Sequence, residues 1–554
     1  MSKAKAVAKK TMPAANDGTV KEASPKSLEV VIALVGYAGA GCSDVANKLE
    51  ITLVKKGYTP HKIKLSQIIE DLSPKGSVPK TSGKAHLEGK ERLDRAMCLQ
   101  DLGDTIRKEI SSDAIIRKAI EQFQIKRDGS EPGESKIAFI LDSVKHLDEI
   151  ELLKQLYGPS FRLLAVHCSK PIRFKRLHGE VTSEAKFKGA EALDVERFMD
   201  RDEKDRNKNK FGQQVRDAFY LGDYFLDNDN DDDPRSKTNL LHEIDRFTDL
   251  LLGKRLFRPT REESGIYHAF AASRHSSCLS RQVGASLHSA DGRLLADGAN
   301  EVPMFGGGVY GEDSLGDEKR CFGWEYKNDK LTFTGCHNTR KKNEIKNEIA
   351  NWMANSLFQN IAKSLSEEGE EDFDEDLFLK HISKGIELRK DDLEDAPGIG
   401  QLIEFSRSIH AEMDAILTAG RSGYSTVGTT LFCTTYPCHN CARHLVTAGV
   451  TKVVYVEPYV KSLALDLHSD SLTDQQNLSV IKVENETKQV KLFIKAFTGV
   501  GPRMFDLHFK KTLDLKKSDG SYIEPSGEKP IEAVRIETLK ENERRATEMT
   551  DTLS

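Results

Sequence analysis

A chain of 554 residues is too long for a single hydrophobic core and predicts two or three domains. A net charge of −5 argues against an obligate nucleic-acid binder, which usually carries a strongly basic domain or stripe. The longest apolar runs, such as Val30–Val35, fall far short of the roughly 20 residues of a membrane span, the basic start lacks an apolar leader, and nine cysteines suit reduced thiols better than a disulfide framework. A cytoplasmic protein with no membrane contact is expected.

Residues 1–27 hold six lysines against two acids and are expected to form a disordered basic arm. From residue 28 to 254, helix-period segments alternate with short apolar strands, the pattern of an α/β unit with a parallel sheet. Strands are expected at 28–35, 137–141, 162–167 and 224–227. The first runs into Gly36-Tyr37-Ala38-Gly39-Ala40-Gly41-Cys42-Ser43, followed by an amphipathic helix. A phosphate loop needs this context, because glycines there let backbone N–H groups wrap phosphate oxygens at a helix N-terminus. Gly36, Gly39, Gly41 and Ser43 suit such a loop, but Cys42 stands where the lysine belongs, which argues against phosphoryl transfer. Asp142, ending the next apolar strand, is the candidate carboxylate for Mg2+. The competing reading is a glycine turn packing strand on helix, with Asp142 a strand-end cap. Arg92, Arg95, Arg107, Arg173, Arg176, Arg197 and Arg201 add a weak phosphate-site signal.

A second α/β pattern runs from 255 to 514: a helix near 262–273, strands at 283–288 and 294–298, a helix bearing His410, a strand at 429–434, a helix from 438 to 448 and a strand at 452–457. Residues 306–401 interrupt it at a length no ordinary connection reaches, so they read as a partly helical insertion. It contains eight acids between 367 and 376, a solvated run without the glycine-centred spacing of a calcium loop. Cys321, Cys336 and His337 in it have ligand-like side chains for a second zinc, though unrelated side chains are the commoner explanation. Residues 515–554 read as a polar tail.

His410-Ala411-Glu412 and Pro437-Cys438-His439-Asn440-Cys441 carry the sharpest chemistry. One imidazole and two thiolates supply three zinc ligands and leave the fourth position for water, while Glu412 adds a proton carrier beside it. This H-x-E…P-C-x-x-C order is that of zinc nucleobase deaminases. A structural zinc knot would need a fourth protein ligand, and a redox pair would not need His-x-Glu.

Residues 405–416 and 434–441, with Arg281-Gln282-Val283-Gly284-Ala285 and Gly298-Ala299-Asn300 upstream, resemble the cytidine and deoxycytidylate deaminase family. That resemblance implies an α/β/α sandwich around a mixed sheet, and contact of Asn300 with the nucleotide sugar; a turn asparagine is the plainer alternative. Tyr436 and Tyr459 are weaker candidates for stacking on the base, since aromatics beside such a helix are often core. The pairing of a P-loop-like half with this half is similar to the bacterial anti-phage dCTP deaminases. It implies conversion of dCTP and dCMP to uracil nucleotides, a homo-oligomer, a nucleoside triphosphate effector and, in some members, a small RNA inhibitor. A housekeeping dCMP deaminase, an RNA or single-stranded DNA deaminase, a vestigial nucleotide sensor and a bifunctional kinase–deaminase stand as alternatives.

Overall fold

The computed structural model describes residues 27–551 apart from 78–88, 128–135, 180–184, 204–209, 230–233, 255, 315–318, 328–329, 369–379, 382–383, 386–404, 460–461, 476–477, 484–485, 512–514 and 524–534. The basic arm and most of the acidic run of the insertion lie outside the described residues.

The first sheet is built from β1 (Val30–Val35), β2 (Thr59–Lys64), β3 (Ile137–Asp142), β4 (Phe161–His167) and β5 (Tyr224–Asp227). They lie in the order β2-β3-β1-β4-β5, all parallel. The three middle strands are buried along their whole length, as continuous apolar runs in a sheet covered on both faces should be. β2 (TPHKIK) escaped the strand pattern because it is a polar edge strand with one fully buried side chain, Ile63.

The second sheet contains β6 (Gly284–His288), β7 (Leu294–Ala299), β10 (Thr430–Thr435), β11 (Lys452–Glu457), β12 (Leu472–Thr473) and β15 (Leu492–Ala496). Two hairpins lie outside it: β8 (Phe322–Lys327) with β9 (Lys330–Cys336), and β13 (Val480–Val483) with β14 (Glu486–Gln489). Its order is β12-β15-β11-β10-β6-β7, with β10, β11, β15 and β12 parallel and β6 and β7 antiparallel, a mixed sheet. Within the insertion, a helix His337–Glu368 follows β9.

The boundary at residue 254 is not a clean division. β16 (Gly499–Val500) leaves the second sheet and adds antiparallel to β5, so the first sheet is mixed rather than wholly parallel. One core cluster joins Phe219 and Phe225 of the first half to Ile266, Phe432, Val454 and Phe497 of the second. Glu263, fully buried, receives both arms of Arg246 at 2.8 and 2.9 Å and the amides of Thr260 and Val500. The expected polar tail also departs from its reading. Residues Ile536–Asp551 form a helix whose Leu539 and Ala546 are buried, and whose Glu543 accepts two bonds from Arg127 and one from Tyr157. Its apolar positions are too few to stand out from the charged ones between them. No described helix is long and apolar enough to cross a membrane.

Candidate metal centre and phosphate loop

His410 is the N-cap of the helix Ala411–Arg421, with an extended backbone (φ −81°, ψ 150°). Two residues apart inside a helix, His410 and Glu412 would face nearly opposite directions. The extended cap turns the imidazole back, so that both line one cleft of about 420 Å3. The helix is seated by close approach: a side chain on Gly298 of β7 would run into the carbonyl of Ala411 and the amide of Ala415. Asp414 also accepts from the Ala299 amide at 3.1 Å.

Cys438 caps a second helix, His439–Thr447, and accepts from the Cys441 amide at 3.4 Å. His410 Nδ1 lies 3.3 Å from each of the two sulfurs, and the three ligand atoms all fall within 4.8 Å of one another. Tetrahedral zinc with ordinary Zn–S and Zn–N bonds separates such atoms by roughly 3.6 Å, so the three fit one ion. Hydrogen bonds from Cys441 and His410 hold the Cys438 thiol down to about 4, while its thiolate raises His410 to about 9. That internal ion pair is the charge pattern a bound cation replaces. Among the described residues no fourth Cys, His or carboxylate joins the set, which leaves one position open. Glu412 is buried beside it, and that burial, then the Cys438 charge, pushes its carboxyl up.

Tyr436, Tyr459 and Asn300 line the same cleft. Tyr436 also packs edge-on against Tyr455 at 4.8 Å, so it serves the core and the cleft together. Asn300 is largely a turn residue: its Oδ1 accepts from the Val283 amide at 2.7 Å and its Nδ2 donates to the Arg281 carbonyl at 2.8 Å. Cys321, Cys336 and His337 are not gathered within ligating range of one another. Cys278, Cys321 and Cys336 instead all line the cleft as free thiols. The position of Cys278 carried no local signal.

The residues 325–457 match the family model of the cytidine and deoxycytidylate deaminase zinc-binding region. The match begins inside the 306–401 segment, so part of that segment belongs to the matched region. Deoxycytidylate deaminase of Enterobacteria phage T2 is 46% identical over 54 residues, 10% of this chain and 29% of that protein. ComE operon protein 2 of Bacillus subtilis is 34% identical over 87 residues, 16% of this chain and 44% of that protein. The chain thus spans less than half the length of these relatives. The crystal structure of the cyanophage S-TIM5 dCMP deaminase with dCMP and dUMP is 17% identical at a TM-score of 0.22, covering 44% of this chain and 99% of that one.

Away from the matched region, the glycine loop of the first half joins β1 to the helix Cys42–Lys55, with Gly39 and Gly41 at φ of 84° and 86°. Ser43 Oγ donates to Asp142 Oδ2 at 2.6 Å, the pairing expected of a phosphate loop and its magnesium-side carboxylate. Burial pushes the Cys42 thiol up to about 12, so it supplies no charge of either sign. Lys145, three residues beyond Asp142, was not foreseen. Its Nζ lies 3.0 Å from the Gly36 carbonyl and 2.7 Å from Asp202 Oδ1. The other Asp202 oxygen accepts from the Ala38 amide at 2.6 Å, so an internal carboxylate sits on a loop amide. Of the arginines proposed for phosphate, Arg173 bonds the Ala38 carbonyl and Arg176 those of Gly39 and Ala40. Four more have structural ion partners: Arg107 with Glu149, Arg95 with Glu70, Arg201 with Asp101 and Asp104, and Arg197 with Asp194. No ion-pair partner is described for Arg92.

Proposed function

We propose that the cleft carries out zinc-dependent hydrolytic deamination of deoxycytidine nucleotides, releasing ammonia and the uracil nucleotide. The observation that carries this reading is the meeting of His410, Cys438 and Cys441 beside a buried Glu412 in one cleft, within a region that matches the deaminase family. The chemistry a zinc ion supplies in that set is acidification of a water at its open position. Glu412 would accept one proton from the attacking water and pass it to the ring nitrogen beside C4 of cytosine, then take the second proton from the new C4 hydroxyl and deliver it to the departing amine as the C4–N bond breaks. One water enters and one ammonia leaves, so Glu412 ends as it began. Tyr436 and Tyr459 flank the base, and the remaining amide hydrogen of Asn300 is available to the sugar.

The narrower reading is that dCTP and dCMP are drained as a defence against phage, with a cytoplasmic homo-oligomer held at rest by an effector or a small RNA. It rests on the pairing of this cleft with a phosphate-loop half. In that half, Gly36, Gly39, Gly41, Ser43 and Asp142 would hold a nucleoside triphosphate with Mg2+ without cleaving it, because Cys42 brings no cation to a transferred phosphoryl group.

Incubating purified protein with dCTP, dCMP and a cytosine oligonucleotide, and scoring uracil and ammonia, tests the reading. Nucleotide turnover is expected, and its loss by at least about 1000-fold in Glu412→Ala with zinc content near that of the unmodified chain. Turnover retained by Glu412→Ala removes its assigned role, and turnover of the oligonucleotide alone would favour a polynucleotide deaminase.

A further inference from the structure

The wall of the deaminase cleft includes one residue of the first half, Arg216. It belongs to a short helix, Val215–Phe219. Tyr37 of the loop stacks on Phe219 of this helix at 5.6 Å, and the Arg173 guanidinium covers the Tyr37 ring at 4.8 Å. Burial pushes the carboxyls of Glu203 and Glu457 up, and the Arg216 charge draws both back down. Neither acid holds it tightly. Among the described residues its ion contact is Asp217, a loose 3.8 Å from Nε, and that buried Nε has no hydrogen-bond partner. A surface arginine would extend into water, yet this side chain is 17% exposed.

The same cleft is lined by Arg281, Lys342 and Arg407, against Glu412 as the lining acid. Glu457, which could neutralise Arg216, is engaged by Arg281 at 2.6 Å. Arg216, buried in the cleft wall with a donor unsatisfied among the described residues, suits an anion. The phosphates of a nucleotide are that anion, and the planar guanidinium suits them.

We propose that Arg216 is a specificity-determining residue which the phosphate-loop half lends to the deaminase cleft, where it grips the phosphate of the nucleotide substrate. This rests on the deaminase reading and deepens it: the cleft recognises its substrate only when both halves are assembled. Tyr37 and Phe219 then place the loop one contact away from a substrate-binding helix.

The test uses the full chain with Arg216→Ala and Arg216→Lys, measuring kcat and KM for dCTP and dCMP, with thermal melting as a check on folding. Loss of a charge-assisted contact predicts a KM raised about 10- to 100-fold in Arg216→Ala, with kcat within about threefold and partial recovery in Arg216→Lys. A KM within twofold of the unmodified chain overturns the proposal, as does a fall in kcat with KM unchanged, which would mark a purely structural bridge between Glu203 and Glu457. Should Arg216→Ala fail to fold, the Lys variant alone decides: a KM raised with kcat held supports the contact, and an unchanged KM overturns it. Absence of deamination by the unmodified chain would sink the deaminase reading instead. Calorimetric binding of dCMP to the unmodified and variant chains then still decides the contact, equal affinity counting against it.

Discussion

At the scale of single residues, the ligands were legible because their information is local. His410 and Glu412 are two positions apart, Cys438 and Cys441 three, and each pair sits at a helix start that fixes its geometry. Lys145 and Arg216 were not legible, because what each does depends on groups far away in sequence. Lys145 meets Gly36 and Asp202, and Arg216 meets a cleft formed largely by residues after 277. The Asp202 carboxylate, lying on the Ala38 amide, competes for a donor that a bound phosphate would use. Asp202→Asn keeps the side-chain size and removes its negative charge. Nucleoside triphosphate affinity at the loop, measured by calorimetry in the Glu412→Ala background, is expected to rise by about tenfold. A drop in affinity would instead show that Asp202 helps organise the loop, for example by aiming Lys145.

At the scale of elements, β1, β3 and β4 announced themselves as largely apolar runs, and β6, β7, β10 and β11 were expected close to where they lie. β2 and β16 did not: the first is polar along an edge, and the second is two residues long. The helix carrying His410 and Glu412 owes its depth to a missing side chain at Gly298, where added atoms would meet backbone rather than a flexible tip. Gly298→Ala is therefore expected to lift the helix start away from β7. Overpacking of this kind destabilises by roughly 1–3 kcal/mol, which a denaturant midpoint would report. Because His410 moves with the helix while Cys438 stays, zinc retention should fall in parallel. Unchanged zinc content and activity would show that the sheet gives way instead.

At the scale of the whole molecule, length predicted two or three domains, and the boundary expected at residue 254 does mark where one sheet pattern ends and another begins. What it could not reveal is that the two sheets share a core through Phe225 and Phe497, whose rings lie 5.7 Å apart, or that Glu263 ties both halves at once. Glu263→Ala leaves the buried Arg246 cation and the Val500 amide without this acceptor. A destabilisation of about 3–5 kcal/mol is expected from such a loss, seen as a lower midpoint of one cooperative transition monitored by circular dichroism. Two well-separated transitions in the unmodified chain would contradict the shared core.

The strand Gly499–Val500 has a consequence for how the molecule is born. Synthesis runs from the N-terminus, and early-made units ordinarily fold before later ones emerge. Here the opening sheet has its final edge supplied by residues translated some 270 positions after its neighbour β5. A nascent chain therefore holds its glycine loop in an unfinished sheet until nearly all of the deaminase region has been translated. Proteolysis between the halves would put that edge strand on a different fragment from the sheet it completes.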